Sequence, residues 1–238
     1  MTEKPMIVLV HGAFSDGTSW SPVAMRLLGA GADVRVPAIS NRSLAEDAAY
    51  VRAFVRHLGV PVLLVGHSYG ATVVGVAGDA ENVRGIVFVS GYALDVGESA
   101  QDVHSLFPDS DSVPYFERTT YANPDGTLRD EISVAVDEFP LLAASGVPAD
   151  EAGVLAVMQR PLAASVLVEK ATTAAWRERP TWGIVSSADR TINPDAVRYG
   201  YTRAGVRTSL VLAGPHLIMH THPGDVARLI LDAAGAVL

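Results

Sequence analysis

One serine lies between two glycines, each two residues away from it, and this spacing is typical of a tight turn that exposes a nucleophile. Residues 66–70 read GHSYG; they follow the apolar run Val62–Val65 and precede ATVVGVAG. Glycines two before and two after the serine allow a strained strand-to-helix turn, and the next backbone N–H points into an oxyanion site. The pattern is common by chance in Gly-rich chains, but these apolar flanks favour a buried strand followed by a helix. We therefore predict that Ser68 is a nucleophile.

A serine hydroxyl becomes a good nucleophile only when a base takes its proton, and seven histidines compete for that role. His216 lies four residues after the last apolar run, Leu210–Leu212, in a Gly-Pro turn from which it can lean over the sheet edge. We predict that His216 is the base. Other histidines have different expected roles: His67 packs beneath the turn, His222 suits a helix start, His220 falls between His216 and His222, and His57 and His104 are solvated or capping.

An acid is needed to orient and stabilise the histidine, and two positions are plausible. Asp189 follows TWGIVSS and precedes RTINP, at the carboxyl end of a strand. Asp95 lies in VSGYALDVGES, beyond the preceding strand, where capping a turn is its alternative role. Either choice gives the chain order Ser, Asp, His. We favour Asp189.

Backbone N–H groups must also face the oxyanion of a tetrahedral intermediate. The segment VHGAFSDGTSW follows the first apolar run, and its His-Gly pair lets the chain turn close to Ser68. We predict Ala13 N–H and Tyr69 N–H as the two donors. A Gly-rich turn of this kind also suits phosphate, but no G-x-G-x-x-G or GK[ST] sequence is present. The segment HLIMHTH lacks the glutamate of a zinc helix, so we expect neither a metal nor a cofactor.

The elements that position these residues follow from short apolar runs separated by stretches of helical period. Ser43-Leu44-Ala45-Glu46 predicts a capping box and a helix to about Leu58, and Asn193-Pro194 predicts a helix to about Ala204. A C-terminal helix is expected from Pro223 to about Ala234. The alternation predicts an α/β protein with a doubly wound, mostly parallel sheet of about six strands. The strand candidates are Met6–Val10, Val34–Val36, Val62–Val65, Ile86–Val89, Trp182–Ser186 and Leu210–Leu212.

One long connection interrupts this alternation. We predict a single domain, residues 1–238, with residues 92–176 inserted as a cap over the carboxyl edge of the sheet. The insert begins with a turn-rich part, FPDSDSVPYFERTTYANPDGTLRD, and continues with Ala-rich helical segments from about 149 to 175. The alternative is a packing subdomain with no role at the site. Candidate walls of an apolar substrate pocket are Phe14, Trp20, Phe107, Tyr115, Phe116, Phe139, Leu142, Met158 and Leu217, for most of which ordinary packing is the competing role.

Composition limits the partners of the chain. A formal net charge of −8 disfavours nucleic acid and anionic membrane surfaces, and the absence of cysteine excludes disulfides and thiolate chemistry. The first apolar run, Met6–Val10, is too short for a signal-peptide core or a membrane span. We expect a soluble cytoplasmic protein that acts on a small molecule.

With these residues in place, the chain resembles the α/β-hydrolase superfamily over its whole length. The segments HGAFSDGTSW, GHSYG, ADRTINP and HLIMHTHP are similar to its small esterase and hydroxynitrile-lyase-like branch, which includes plant methyl-ester esterases and bacterial hydrolases. The resemblance implies the triad Ser68, Asp189 and His216, with Ala13 and Tyr69 as oxyanion-hole donors.

Two departures separate this chain from the lyases of that branch. Those enzymes carry a threonine where this chain has Gly12, and a lysine directly after the catalytic histidine, where this chain has Leu217. Without that ammonium group nothing stabilises a departing cyanide. Haloalkane dehalogenases and epoxide hydrolases of the superfamily place an aspartate at the position of Ser68.

The sequence therefore predicts a serine hydrolase that cleaves a small, mostly apolar carboxylic ester through an acyl-enzyme. A lactonase, a thioesterase or another tailoring enzyme of specialised metabolism would use the same triad, because the triad is indifferent to the leaving group. A ligand-binding receptor with vestigial turnover is the alternative from another class, and the complete set of catalytic residue types argues against it.

Overall fold

A computed structural model describes residues 4–237, so the predicted domain limits at residues 1 and 238 lie outside the described residues. Its centre is a six-stranded sheet in the order β2-β1-β3-β4-β8-β9, with every pair parallel. This confirms the predicted fold class. The strands are β1 Met6–Val10, β2 Val34–Arg35, β3 Val62–His67, β4 Val83–Val89, β8 Thr181–Ser186 and β9 Ser209–Leu212.

Burial explains why the central strands carry apolar residues without alternation. All six residues of β3 are buried, as are all six of β8. Successive side chains of a strand point to opposite faces, so helices must cover both faces of this sheet. The helices outside the insert are α1 Ser21–Gly29, α2 Leu44–Leu58, α3 Tyr69–Ala77, α7 Pro194–Ala204, α8 Ile218–Thr221 and α9 Pro223–Ala236.

The starts of the predicted helices are close to the expected residues, but one cap differs. The Asn193 side chain accepts from the N–H of Asp195, as its N-cap position predicts. At α2, Ser43 accepts from the N–H of Glu46, as predicted. The second bond of the predicted capping box, from the N–H of Ser43 to the Glu46 side chain, is not formed, so that part of the prediction is wrong. Glu169, more than a hundred residues away in the chain, instead accepts from Ser43 Oγ and the N–H of Leu44. A carboxylate at a helix N-terminus is favourable whatever its position in the sequence.

The connection between β4 and β8 contains a small sheet of its own. Its three antiparallel strands lie in the order β5-β6-β7, and it is accompanied by three short helices. The elements are α4 Ala100–His104, β5 Phe116–Ala122, β6 Leu128–Val134, α5 Phe139–Leu142, α6 Ala149–Val157 and β7 Leu162–Ala163. The insert, predicted as residues 92–176, accounts for most of this connection, which runs from residue 90 to residue 180.

The insert contains a hairpin that the sequence did not predict, and fewer helical residues than expected. The turn-rich part is a β-hairpin whose tip lies around Asp125 and Gly126, with Gly126 at φ +83° and Asp125 accepting from the N–H of Thr127. The Asp-Gly pair is a hairpin signal, but most of the flanking strands is polar and exposed, so no apolar pattern marked them. Of the helical segments predicted from about 149 to 175, α6 ends at Val157 and is followed by β7, so the predicted helical extent is too long.

Among residues 4–237, no helix combines the length and the apolar character that crossing a bilayer requires.

Candidate active site

Ser68 lies at the carboxyl end of the fully buried strand β3, in a strained backbone conformation. Its φ is +54° and its ψ is −123°, a region that residues other than glycine seldom adopt. The turn holds because the flanking glycines approach other backbone atoms closely. A Cβ at Gly66 would lie 2.2 Å from the oxygen of Gly70, and one at Gly70 would lie 2.4 Å from the oxygen of Val10. The G-x-S-x-G spacing is therefore a steric requirement of this turn.

The side chains of Ser68, His216 and Asp189 form one hydrogen-bonded chain. Ser68 Oγ lies 2.8 Å from His216 Nε2, and His216 Nδ1 lies 2.7 Å from Asp189 Oδ2. The side chains of His216 and Asp189 are 5% and 1% exposed. A carboxylate accepts, so Nδ1 carries the proton and Nε2 presents its lone pair to the serine hydroxyl, which donates.

Asp189 is itself fixed by the turn that follows β8. Its Oδ1 accepts from the N–H of Thr191 at 2.8 Å and of Ile192 at 2.9 Å, which leaves Oδ2 for the histidine. The alternative acid, Asp95, instead bonds Arg177, whose guanidinium holds the pKa of Asp95 below its usual value. Asp95 makes no hydrogen bond to His216 among the described residues.

The other histidines have separate partners. His67 is fully buried and its Nε2–H donates to the carbonyl oxygen of His216 at 2.9 Å. His220 bonds Glu151 of α6 at 2.6 Å, and His222 is the N-cap residue of α9. His104, expected to be solvated or capping, contacts Asp109 at 2.9 Å and lines the cavity described below.

Two backbone N–H groups beside Ser68 have no hydrogen-bond acceptor among residues 4–237, those of Ala13 and Tyr69. Ala13 follows β1 and Tyr69 is the first residue of α3, and both line the same cavity as Ser68. The next residue, Phe14, is held at φ +57° while its N–H donates to the carbonyl oxygen of Arg160 at 3.0 Å. Both residues with a free N–H therefore border the cavity that contains Ser68.

A cavity of about 370 Å³ lies next to Ser68 and is lined by both the sheet-edge loops and the insert. Of the nine predicted pocket residues, Phe14 and Phe116 line it, with ring centroids 5.7 Å apart. The other seven do not line this cavity. Trp20, Phe139 and Leu142 are buried in the core, the Phe107 ring lies tilted against that of Tyr199, and Tyr115 is exposed. Met158 and Leu217 border a much smaller depression that Phe14 also lines.

Sequence reasoning missed most of the cavity wall. The walls include aliphatic and aromatic residues of the insert and core, namely Leu44, Tyr92, Leu94, Val113, Ile132, Leu162, Val166, Leu167 and Ile192. Polar side chains lie there too, namely Thr72, Gln101, His104, Asp109, Ser110, Arg118, Glu169 and Thr191. None of these residues lies in a sequence pattern that marks a cavity wall. A prediction of the hairpin at 116–134 was the one signal that would have brought Phe116, Arg118 and Ile132 together.

No group of three or more histidine, aspartate or glutamate side chains within residues 4–237 is arranged to hold a metal ion.

A family model described as the alpha/beta hydrolase family matches residues 7–229. The chain belongs to the α/β-hydrolase family. The resemblance inferred from the motifs is thereby confirmed at family level. Among curated proteins, no sequence matches this α/β-hydrolase.

Solved structures share the fold of this α/β-hydrolase at low sequence identity. Polyneuridine aldehyde esterase matches with a TM-score of 0.82 and 19% identity, over 98% of this chain and 100% of that one. Methylesterase MES16 from Arabidopsis matches with a TM-score of 0.77 and 15% identity, over 98% and 99%. A pyrethroid hydrolase from Sphingobium faniae JZ-2 matches with a TM-score of 0.76 and 14% identity, over 98% of each chain.

Proposed function

We propose that this α/β-hydrolase is a serine carboxylesterase that cleaves small, mostly apolar esters through an acyl-enzyme. The observation that carries the proposal is the buried series of hydrogen bonds from Ser68 through His216 to Asp189. It ends at a cavity that is also lined by Ala13 and Tyr69, whose N–H groups have no acceptor among residues 4–237. The fold neighbours whose names are esterases or hydrolases support the same reaction class.

The first half of the proposed reaction acylates the serine. The Ser68 hydroxyl gives its proton to His216 Nε2 while its oxygen forms a bond to the ester carbonyl carbon. The carbonyl oxygen becomes an oxyanion that accepts from Ala13 N–H and Tyr69 N–H, donors expected to contribute on the order of 3 kcal/mol each to lowering the barrier. Asp189 stabilises the imidazolium and keeps its tautomer. His216 then returns the proton to the leaving alkoxide, and the C–O bond of the ester breaks.

The second half releases the acid. His216, neutral again, takes a proton from water, whose oxygen attacks the acyl carbon. The resulting tetrahedral species collapses, Ser68 Oγ leaves, and His216 returns the proton to it. No metal or cofactor is needed to balance either half.

The size and character of the cavity set the substrate range we propose. About 370 Å³ is at the lower end of small-molecule pockets, which span roughly 300–1,000 Å³. The walls near Ser68 include Phe14, Phe116 and Ile132, so an apolar acyl or alkoxy group of moderate length fits this space. The insert supplies many of these walls, and we propose that residues 92–176 act as the cap of the site.

The test is turnover of p-nitrophenyl esters from acetate to decanoate by the full chain. Wild type, Ser68→Ala and the control Ser187→Ala are compared, because Ser187 is an exposed serine at the same sheet edge. We expect turnover from wild type and Ser187→Ala, none from Ser68→Ala, and an optimum at a short or medium acyl chain. Equal activity of Ser68→Ala and wild type would refute the assigned nucleophile.

The same kinetic comparison distinguishes an esterase from a thioesterase or a lactonase. A panel of acyl thioesters and lactones, run beside the oxygen esters, ranks the three substrate classes by kcat/KM. We expect the open-chain oxygen esters to rank first. A preference above tenfold for a thioester or lactone would replace esterase by thioesterase or lactonase while keeping the triad. Tight binding of an ester without any product would instead support a receptor.

A further inference from the structure

We propose that Asp47 is a positioning residue that holds both proposed oxyanion-hole segments in place, one through Tyr69 and the other through Asn41. This inference rests on the serine-hydrolase function proposed above. It concerns a buried carboxylate on α2 that does not touch the cavity and has no part in the triad.

Asp47 is 2% exposed and its two oxygens accept four hydrogen bonds. Oδ1 accepts from the N–H of Ser40 at 2.7 Å and from Ser40 Oγ at 2.8 Å. Oδ2 accepts from the N–H of Asn41 at 3.0 Å and from the Tyr69 hydroxyl at 2.8 Å. A buried carboxylate is costly unless donors satisfy it, and bonds to a charged acceptor are stronger than neutral ones. Asp47 is therefore a strong fixed point between three segments of the chain.

The first segment is the turn that carries Ser68. Tyr69 follows the nucleophile directly, so its backbone N–H is one proposed oxyanion donor while its hydroxyl is tied to Asp47. Burial, followed by the charge of Asp47, raises the pKa of Tyr69 far above its usual value. The phenol stays protonated and donates throughout the working pH range. Because the hydroxyl at the far end of the ring is bonded to Asp47, a displacement of Tyr69 as a whole would break a buried bond.

The second segment is the loop after β1, and it is reached through Asn41. Asn41 is fully buried at φ +60°, and its Nδ2 lies 3.4 Å from the carbonyl oxygen of Arg160. That same oxygen accepts the N–H of Phe14 at 3.0 Å. The Asn41 carbonyl in turn accepts from the N–H of Ala163, in β7. Asp47, which fixes the Asn41 backbone, thereby acts on the residue that follows Ala13.

The two proposed donors come from loops after different strands, β1 and β3, and no direct bond joins Ala13 to Tyr69 among residues 4–237. Their separation and direction must nevertheless match one oxygen atom. Preorganised donors are effective because they need no reorganisation during the reaction, and a displacement of about 1 Å can cost on the order of a hundredfold in rate. A shared anchor for both loops meets that requirement.

The decisive comparison is Tyr69→Phe against Ser40→Ala. Each variant removes one side-chain hydrogen bond of 2.8 Å from Asp47, and Ser40→Ala also removes the acceptor of the Arg42 N–H, but only Tyr69→Phe releases an oxyanion segment. Ser40 keeps its backbone bond to Oδ1, so Asp47 stays in place in the control. We expect about a tenfold lower kcat with little change in KM for Tyr69→Phe, and wild-type kcat for Ser40→Ala. The melting temperatures of the two variants should fall by similar amounts.

A second readout isolates the oxyanion. A trifluoromethyl ketone forms a tetrahedral adduct with an active serine, whereas the carboxylic acid product does not. Tyr69→Phe should weaken inhibition by the ketone about tenfold, in step with kcat/KM, and leave inhibition by the product unchanged. Equal kcat and equal ketone inhibition in Tyr69→Phe and Ser40→Ala would show that Asp47 only stabilises the fold, which would overturn the inference.

Failure of the proposed function gives a different result from failure of this inference. If wild type does not turn over esters, or Ser68→Ala does, the triad assignment fails before Tyr69→Phe is considered. If wild type is active and Ser68→Ala is not, the variants Tyr69→Phe and Ser40→Ala, which each remove a donor to Asp47, test the positioning role alone.

Discussion

The imidazole of His67 holds the backbone of His216, because its Nε2–H donates to the His216 carbonyl oxygen at 2.9 Å. The two rings lie 4.7 Å apart, and the ring of Trp20 packs against His67 with its edge. The residue before the proposed nucleophile therefore fixes the residue proposed as its base. Since Nε2 carries the proton, Nδ1 of the neutral ring has none, and it has no partner among residues 4–237.

We predict that this bond sets the position of the base. In His67→Gln the Nε2 amide group occupies a similar place and donates to the same carbonyl, so most of kcat should be retained. In His67→Leu the carbonyl loses its donor, and kcat should fall about tenfold or more while KM stays nearly constant. Steady-state kinetics of the two variants on one ester, with circular dichroism to confirm folding, decide the matter. Equal loss in both would mean that the ring packs but does not position.

The buried histidines predict how stability depends on pH. Burial lowers the pKa of His67 well below its usual value, with the nearby His216 adding to the effect, and burial also lowers the pKa of His11. Below about pH 6.5 these two histidines bind protons in the unfolded chain but stay neutral in the folded protein. The contribution of these neutral histidines to the free energy of unfolding should therefore be complete above that pH. The free energy of unfolding should decline as the pH falls from about 6.5 to 5. Each fully neutral histidine contributes at most about 1.4 kcal/mol per pH unit to the slope.

Urea denaturation between pH 8 and pH 5 measures this slope directly, and His67→Gln is its control. The variant keeps the hydrogen bond but removes one titrating group, so its slope in the window from 6.5 to 5 should be smaller by up to the contribution of one histidine. Carboxylates with lowered pKa values, such as Asp95 and Glu98, act below this window. Identical slopes for the variant and wild type would show that His67 takes up a proton in the folded state.

The acid assignment predicts a large difference between two aspartates. Asp189→Asn replaces the oxygen that accepts from His216 Nδ1 and favours the wrong tautomer, so kcat should fall by roughly four orders of magnitude. Asp95→Asn weakens an ion pair with Arg177 that is partly exposed and should leave kcat within about twofold. Both variants are measured on the same ester at the pH optimum. The acid would be misassigned if Asp95→Asn were the inactive one.

The α/β sheet was predictable because each of its inner strands contains a short apolar run. Every residue of β3 and β8 is buried, and such strands need no long-range information to be recognised. Ser68, Asp189 and His216 were found the same way, since each follows a strand and the carboxyl ends of parallel strands share one edge. Their catalytic roles remain predictions until the variants above are measured.

The cavity wall was not predictable because it depends on contacts across long stretches of chain. Phe116 and Ile132 line the cavity because β5 pairs with β6, and this pairing rests on backbone hydrogen bonds between mostly exposed polar strands. The capping box predicted at the N-terminus of α2 was wrong for a similar reason. The carboxylate that accepts from this helix start belongs to Glu169 and not to the nearby Glu46. Residues such as Phe139 and Leu142 have the right type for a pocket but lie in the core.

The last prediction concerns Gly12, the residue before the proposed oxyanion donor Ala13. A Cβ at Gly12 would lie 2.8 Å from the Cβ of Ser68 and 3.1 Å from His67 Nδ1. Ser68 is already strained and cannot move without disturbing its bond to His216. Gly12→Ala should therefore reduce kcat on the order of a hundredfold, and lower the free energy of unfolding by about 1–3 kcal/mol through overpacking.

Gly153→Ala is the matched control, since a Cβ at this position in α6 meets no atom within 4 Å. Alanine is the better helix former, so this variant should gain up to about 1 kcal/mol of stability and retain wild-type kcat. Urea denaturation and ester turnover of the two variants are compared with wild type. Wild-type kcat in Gly12→Ala would show that the turn carrying Ser68 yields to the added methyl group, and the steric limit assigned to Gly12 would then be withdrawn.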